Sequence, residues 1–500
     1  MKRRLNLVKP DIVAIADWDF VQKPISITKL IDNVHLPKGE KKIVVERDDE
    51  YNLKGTLNFE DPSFFPRRNE VAGTFHKGFD IQGFSNDDSI LYALESCHIG
   101  SIKFQGASDF VGTADLRFNK FRMKLSENNP NHLTVWYING PDSYVHFSSA
   151  EVHTIQYCTR EQFLSNREQK NSTSTPLCKH FSSELIWSKN KDDFNFLVNR
   201  VPNTLGPKWS TNVGIEYHED WGRIPESGER LKIEELCSFV FGKHLLSVGY
   251  TTYDKDENVV EVFAQSPWGH SAKFFCSQPE YPPIRINDYP PGDAEKIINY
   301  LLPKYIEVSE HLRLEEALWN YWISFNIPIG PNLPIIASAI ETIINSWYNW
   351  TKTQSHGVYM EKTDFTSLLR EELDSIKKKL DIKYADEKKK LVEQKIDEKT
   401  DGEKMLNKIL TTNEFGITEK MRRFFKEINL SVTQAEKDAI KGRHLFVHGD
   451  ADYDKEDWEE VVRKVNTLHT LFNRTLLKIL EYNWDYIDRS VEGWPDAKLG

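Results

Sequence analysis

The chain is poor in cysteine, with five among 500 residues: Cys97, Cys158, Cys178, Cys237 and Cys276. Their number is odd, their spacing is wide, and no Cys-x2-Cys pair occurs. This argues against a disulfide framework and makes a reducing cytoplasm the expected compartment. Cys178 with His180 comes nearest to a metal pair, but the stretch is Ser/Thr-rich and holds no second pair, so neither a metal nor another cofactor is expected. No run of about 18 apolar residues exists, so no transmembrane helix and no membrane partner are expected. The basic start, Met1-Lys2-Arg3-Arg4-Leu5-Asn6, lacks the apolar stretch of a signal peptide. No Gly-rich phosphate loop opens a helix, which disfavours an NTPase, and no serine sits in a nucleophile-elbow context. No internal repeat of fixed period is found.

What is present is globular. Hydrophobic residues make up 39% of the chain, and 28 Phe with 13 Trp supply ample core material. The length suggests two or three domains. The net charge is −11, which as a uniform surface would repel nucleic acid. The charge is uneven, however: from Arg370 to Lys426 there are 16 Lys/Arg against 13 Asp/Glu. So small an excess reads first as a solvated helical face.

Residues 1–285 read as mostly β. Apolar alternation between turn residues marks Lys42–Glu46, Gly55–Phe59, Leu133–Tyr137, Tyr144–Phe147, Leu245–Tyr250 and Val259–Phe263. The last two flank Asp254-Lys255-Asp256-Glu257-Asn258, a hairpin signal. A sandwich or barrel is expected, and the polar stretch near 165–180 reads as a loop or as a divider between two subdomains. The histidines His98, His146 and His153 lie on β segments and read as core-edge or surface residues. Tyr281-Pro282-Pro283 and Tyr289-Pro290-Pro291-Gly292 then break the composition, and the linker is placed there.

Residues 286–500 carry a helical period. A first stretch, about 293–325, holds the stripe Leu314, Ala317, Leu318, Tyr321 and Trp322. A second begins near Pro334 and carries Ile336, Ile340, Ile343, Trp347 and Trp350, with Glu341 among them. A long charge-dense helix is expected over 364–398, ended by Thr400-Asp401-Gly402. Helices near 403–410 and 417–428 follow. Another opens at Ser431-Val432-Thr433-Gln434, where Thr433 with Glu436 and Ser431 with Gln434 both have capping-box spacing. It runs to about Val447, with Gly449 as its stop. The last helix carries Trp458, Val461, Val465, Leu468, Phe472, Leu476 and Leu480.

The chemistry concentrates in Gly442-Arg443-His444-Leu445-Phe446-Val447-His448-Gly449-Asp450. Arginine offers a permanently charged planar fork that suits phosphate oxygens. Histidine exchanges a proton near neutral pH. Together they supply what RNA cleavage needs without a metal.

This segment resembles the Arg-x4-His motif of the HEPN superfamily of ribonucleases. His444 matches the polar position after the arginine, and Gly449 matches the glycine after the histidine. The resemblance implies a homodimer through the helical bundle, with Arg443 and His448 of each chain lining one composite cleft. It also implies that His448 acts as general acid or base on the RNA 2′-hydroxyl and leaving 5′-oxygen, while Arg443 stabilises the transition-state charge. The products would be a 2′,3′-cyclic phosphate and a 5′-hydroxyl. His444 would have a secondary role, bonding the phosphate or positioning Arg443, and Glu341 stands where the family often places an acidic residue that orients the arginine.

The layout, β-rich region, proline-rich joint and helical bundle, resembles that of the ApeA-type anti-phage defence proteins. What this implies is an α+β multidomain protein of abortive infection, with tRNA or other structured RNA as substrate and a phage protein as trigger. Residues 1–285 would sense infection or restrain the nuclease. Two other readings stay open: a non-catalytic HEPN dimerisation or nucleic-acid-binding scaffold carrying a ligand-binding β domain, and a carbohydrate- or peptide-binding β protein with a helical oligomerisation tail.

Overall fold

The computed structural model describes residues 21, 23–61, 63–64, 78–105, 111–141, 186–189, 194–201, 206–256, 258–267, 272–286, 293–351, 360, 362–386, 389, 400–411, 415–447 and 458–499. An N-terminal antiparallel sheet region is followed by a C-terminal helical region, an α+β arrangement. The expected strand at Tyr144–Phe147, the polar stretch at 165–180 and the second proline pair all lie outside the described residues. So do Cys158, Cys178, His146, His153 and His180.

The chain divides into two compact units, Met1–Ile306 and Glu307–Gly500. The division falls later than the expected linker, and the first proline pair shows why. Pro282 and Pro283 are buried, as are Ile284 and Ile286, so this segment is packed into the first unit. It docks on the end of helix α1 (Ser227–Phe241), where the Tyr281 N–H donates to the Gly242 carbonyl at 2.8 Å. Gly242 caps α1 in the left-handed region (φ 68°), and an added Cβ would lie 2.0 Å from the Pro282 nitrogen, so glycine is required there.

Helix α1 interrupts a region that reads as β throughout. Its last six residues, Leu236 to Phe241, are all buried, so the segment has no polar face and no helical period to read. The short helix α2 (Ala272–Cys276) follows, then α3 (Asp293–Val308), which crosses the boundary between the units. Within the first unit the Tyr305 hydroxyl of α3 donates to Glu235 of α1 at 2.7 Å.

The strands are β1 (Ile25–Ile27), β2 (Lys29–Leu30), β3 (Lys41–Arg47), β4 (Leu53–Phe59), β5 (Phe79–Phe84), β6 (Leu91–Gln105) and β7 (Val111–Arg117). Then come β8 (Lys120–Lys124), β9 (His132–Ile138), β10 (Ile186–Lys189), β11 (Asn195–Val201), β12 (Asn212–His218), β13 (Leu246–Tyr253) and β14 (Val259–Gln265). They form one hydrogen-bonded path, β1-β3-β4-β7-β6-β8-β14-β13-β9-β12-β11-β10, with β5 joining β2 to β6. Strand β6 is long enough to serve two layers. Its first half pairs with β5 and β8, and its second half with β7. The register breaks between Ile99 and Ile102, as a bulge that bends the strand requires. Ile43, Val45, Leu57, Phe59 and Leu116 from one side of the bend share a core with Ile81, Leu94, Phe121, Met123 and Val262 from the other. These side chains form one hydrophobic core of the antiparallel sheet region.

The β13–β14 hairpin is built as its sequence suggests, with Asp254 Oδ1 accepting from the Asp256 and Asn258 backbone N–H groups. Strand β9 is buried along its whole length, as a central strand must be.

In the second unit, α4 (Leu314–Ser324) and α5 (Asn332–Thr351) replace the expected first pair of helices. All five residues of the α4 stripe are buried, as are Ile336, Ile340 and Ile343 of α5. The long helix expected over 364–398 is broken instead. Helix α6 (Lys362–Leu368) is followed by α7 (Arg370–Lys383), and only Leu373 of α7 is buried. A helix with one buried residue has little apolar area to hold it straight. Thr400-Asp401-Gly402 starts a helix, and residues 390–399 before it lie outside the described residues. The Thr400 hydroxyl and Glu403 carboxylate form a reciprocal cap on α8 (Asp401–Thr411), each accepting the other's backbone N–H.

Then follow α9 (Ile417–Glu427), α10 (Gln434–Val447) and α11 (Trp458–Ile479). Helix α5 touches α4, α9, α10 and α11, so it is the axis of this unit. Tyr321 of α4 stacks on Phe472 of α11 at 4.6 Å, and Trp347 of α5 meets Phe424 of α9 edge-on at 5.5 Å. A short hairpin, β15 (Asp485–Ile487) and β16 (Asp496–Lys498), ends the chain. Among the described residues, no helix is long and apolar enough to cross a membrane.

Candidate functional site

Helix α10 is fixed from its first turn. The Thr433 backbone N–H donates to Glu436 Oε2 at 2.7 Å, and the Glu436 N–H donates to Thr433 Oγ1 at 3.2 Å. Of the two possible caps, the Thr433–Glu436 pair is the one formed. Glu436 also reaches the neighbouring helix, where its Oε1 accepts from Arg474 Nη1 of α11. Arg474 also donates through Nη2 to the Ser431 carbonyl at 2.8 Å. Both members of this pair are buried, so each requires the other. One turn before the end of α10, Gly442 lets α11 come close; an added Cβ would lie 3.1 Å from the Lys464 side chain.

Arg443 is buried, with 6% of its surface exposed. Its Nε lies 2.9 Å from Glu341 Oε1 on α5. The contact is one of charge rather than an aligned hydrogen bond, since Oε1 receives no well-directed donor. Nη1 donates to the Ile440 carbonyl at 2.5 Å. No hydrogen bond from Nη2 is found among the described residues. Two residues singled out in the sequence, Arg443 and Glu341, are thus brought together from helices that lie about a hundred positions apart in the chain. His444 follows Arg443 on α10, with its side chain outside the described part. His448, Gly449 and Asp450 lie outside the described residues, which resume at Trp458. Five helical residues turn about 500°, so Arg443 and a His448 continuing the same helix would point different ways.

Elsewhere in this unit His469 is a core residue. Its Nε2 shares a hydrogen bond with Ser324 Oγ at 2.7 Å, its ring stacks on Phe325 at 4.1 Å, and burial holds its pKa down to about 3. His98, on β6, is exposed.

The first unit holds a second cluster, which sequence reasoning missed. His132 opens β9, and Glu216 and His218 end β12. The strands are antiparallel neighbours with His132 opposite His218 and Thr134 opposite Glu216, so all three side chains share one face. Their donor atoms lie within 4.8 Å of one another. His132 and Glu216 are buried and His218 is half-buried. His132 Nε2 is 3.8 Å from Glu216 Oε2 and 3.0 Å from Thr134 Oγ1, and Asn199 Nδ2 donates to Glu216 Oε1 at 3.1 Å. Burial lowers His132 to about 2 and His218 to about 4, so both rings stay neutral at ordinary pH. The opposite face of these strands carries Tyr137 and Tyr217, which lie beside Glu234 and Cys237 of α1. The one local signal in the sequence was Glu216-Tyr217-His218, two ligand types at strand spacing. His132 lies more than eighty residues earlier and joins them only through the sheet register.

No protein-family model matches the chain, and neither a curated protein nor a solved structure matches it significantly.

Proposed function

We propose that the protein is a metal-independent endoribonuclease acting through Arg443 and His448, in the manner of the HEPN ribonucleases its motif resembles. The observation that carries this reading is the approach of Glu341 to Arg443, 2.9 Å between charged atoms, on a helix capped at one end and ion-paired to its neighbour. A guanidinium fixed in this way meets a phosphodiester without first losing rotamer freedom. Its charge stabilises the extra negative charge that develops on phosphorus oxygens during attack. His448 takes the proton from the 2′-hydroxyl and returns one to the departing 5′-oxygen. The bond from the 2′-oxygen to phosphorus forms as the bond to the 5′-oxygen breaks. The ends are a 2′,3′-cyclic phosphate and a 5′-hydroxyl, and DNA, without the 2′-hydroxyl, is not cut. In this reading two chains pair through the helical unit, and the motif of each lines one cleft. The substrate is tRNA or other structured RNA, the setting is anti-phage defence in the cytoplasm, and the β-rich unit senses a phage protein or restrains cutting.

One observation favours a second reading. Arg443 is nearly enclosed, and two of its three nitrogens are engaged within the chain. A guanidinium so placed can serve only to lock α10 to α5, making the unit a non-catalytic scaffold. Purified protein incubated with total RNA and EDTA separates the two. Cutting by wild type that is lost in Arg443→Ala and in His448→Ala, with folding intact, supports the nuclease. Equal RNA decay in all three, or none even when an extract of infected cells is added, supports the scaffold.

A further inference from the structure

We propose that His132, Glu216 and His218 form a binding site for one divalent transition-metal ion of the zinc class, in the β-rich unit and separate from Arg443. Three ligand side chains of the right kind converge on one face of two paired strands, with every donor atom within 4.8 Å of the others. A tetrahedral zinc ion sits about 2.0–2.1 Å from imidazole nitrogen and carboxylate oxygen, which sets its ligands about 3.4 Å apart. The 3.8 Å between His132 Nε2 and Glu216 Oε2 is therefore only a few tenths of an ångström too wide.

Two nitrogens and one oxygen are a donor set for zinc or a neighbouring transition metal; calcium and magnesium take oxygen alone. The supporting groups are also those of a metal site. Asn199 donates to Oε1 of Glu216, and Oε2 is the oxygen that lies 3.8 Å from His132 Nε2. Tyr253 stacks on His132 at 4.8 Å and fixes its plane.

The rings of His132 and His218 stack at 3.7 Å with 20° between their planes. Parallel rings do not aim both lone pairs at one point, so loading the ion requires the His218 ring to turn. His218 is the half-buried member and the last residue of β12, followed by the turn Glu219–Trp221, and turning its ring also releases it from Trp221, whose ring lies 4.0 Å away. Three protein ligands leave a fourth position for water or a small ligand. Because the ion would tie β9 to β12, its binding stabilises this unit.

The full-length chain, stripped with a chelator and desalted, is titrated with Co2+ and then with Zn2+. The expected result is one ion per chain, with the intense visible d–d absorption of four-coordinate Co2+ that Zn2+ displaces, and a higher melting temperature with Zn2+. His218→Ala and Glu216→Gln each weaken binding by about tenfold or more. Both reduce the Zn2+-dependent melting shift, and His218→Ala, altering a half-buried strand end, keeps the wild-type circular dichroism. Cys178→Ser leaves all of this unchanged. The proposal is overturned if the wild-type chain takes up no stoichiometric ion, if His218→Ala binds Co2+ as tightly and with the same spectrum, or if Cys178→Ser abolishes the signal.

Discussion

The two units handle buried polar groups in opposite ways. The β-rich unit keeps His132, His218 and His244 neutral, lowered by burial to about 2, 4 and 3. The helical unit, among the described residues, has one such histidine, His469, and relies instead on charge pairs. Both notable pairs fasten the same helix: Glu436–Arg474 ties the start of α10 to α11, and Arg443–Glu341 ties its later turns to α5. A neutral imidazole in an interior costs little until acid forces a proton on it. In a buried charge pair each charge offsets the desolvation of the other, so removing one partner leaves an uncompensated charge. The difference teaches that the first unit is sensitive to acid, while the second is sensitive to single substitutions along α10.

The largest expected effect lies on that helix. Glu436→Ala leaves Arg474 buried without its counter-charge, and the helical unit loses about 3–5 kcal/mol. Denaturant unfolding followed by hydrogen exchange checks this, with protection lost in α10 and α11 and kept in β9 and β12. Equal loss in both units would break the comparison. Next comes Arg443→Ala, which lowers the cleavage rate by about 100-fold or more under the proposed mechanism. Glu341→Gln, which frees the arginine without removing it, costs less, about tenfold on the same RNA substrate.

Acid acts on the other unit. Above about pH 6.5 these histidines are neutral whether the chain is folded or unfolded, and they contribute no pH dependence. Below that, the unfolded chain binds protons that the folded chain refuses, so stability falls until the folded pKa values are reached. Each histidine contributes up to about 1.4 kcal/mol per pH unit. Between about pH 6.5 and 4 His132, His218 and His244 should therefore weaken the β-rich unit more steeply than His469 weakens the helical unit. Hydrogen exchange across that range measures it; parallel decline would contradict the contrast. The smallest effect is Thr433→Ala, which removes one half of the cap on α10 and costs about 1 kcal/mol, read as a shift in the denaturation midpoint of the helical unit.

Much of the architecture was legible. Strands β3, β4 and β14 and the stripes of α4, α5 and α11 announce themselves by period, because their packing alternates as the sequence does, while β9 and β13, buried along most of their length, show as short β-branched and aromatic runs. Helix α1 was hidden because its second half is apolar on every side. The packing of Pro282 and Pro283 was not legible, because buried prolines look like linker prolines in a sequence. At the candidate site, Glu341 stood out as a charge inside an apolar stripe, and the structure brings it to Arg443. The His132–Glu216–His218 cluster was illegible for the opposite reason, since it depends on which residue of β9 faces which of β12, and strand register is not written in either strand alone.

The most direct measurement is the chemistry of the RNA ends. Wild-type protein in EDTA should leave 2′,3′-cyclic phosphates and 5′-hydroxyls on a structured RNA, and Arg443→Ala should leave almost none. Ends bearing 3′-hydroxyls and 5′-phosphates, or cyclic phosphates produced equally well without the arginine, would contradict the account.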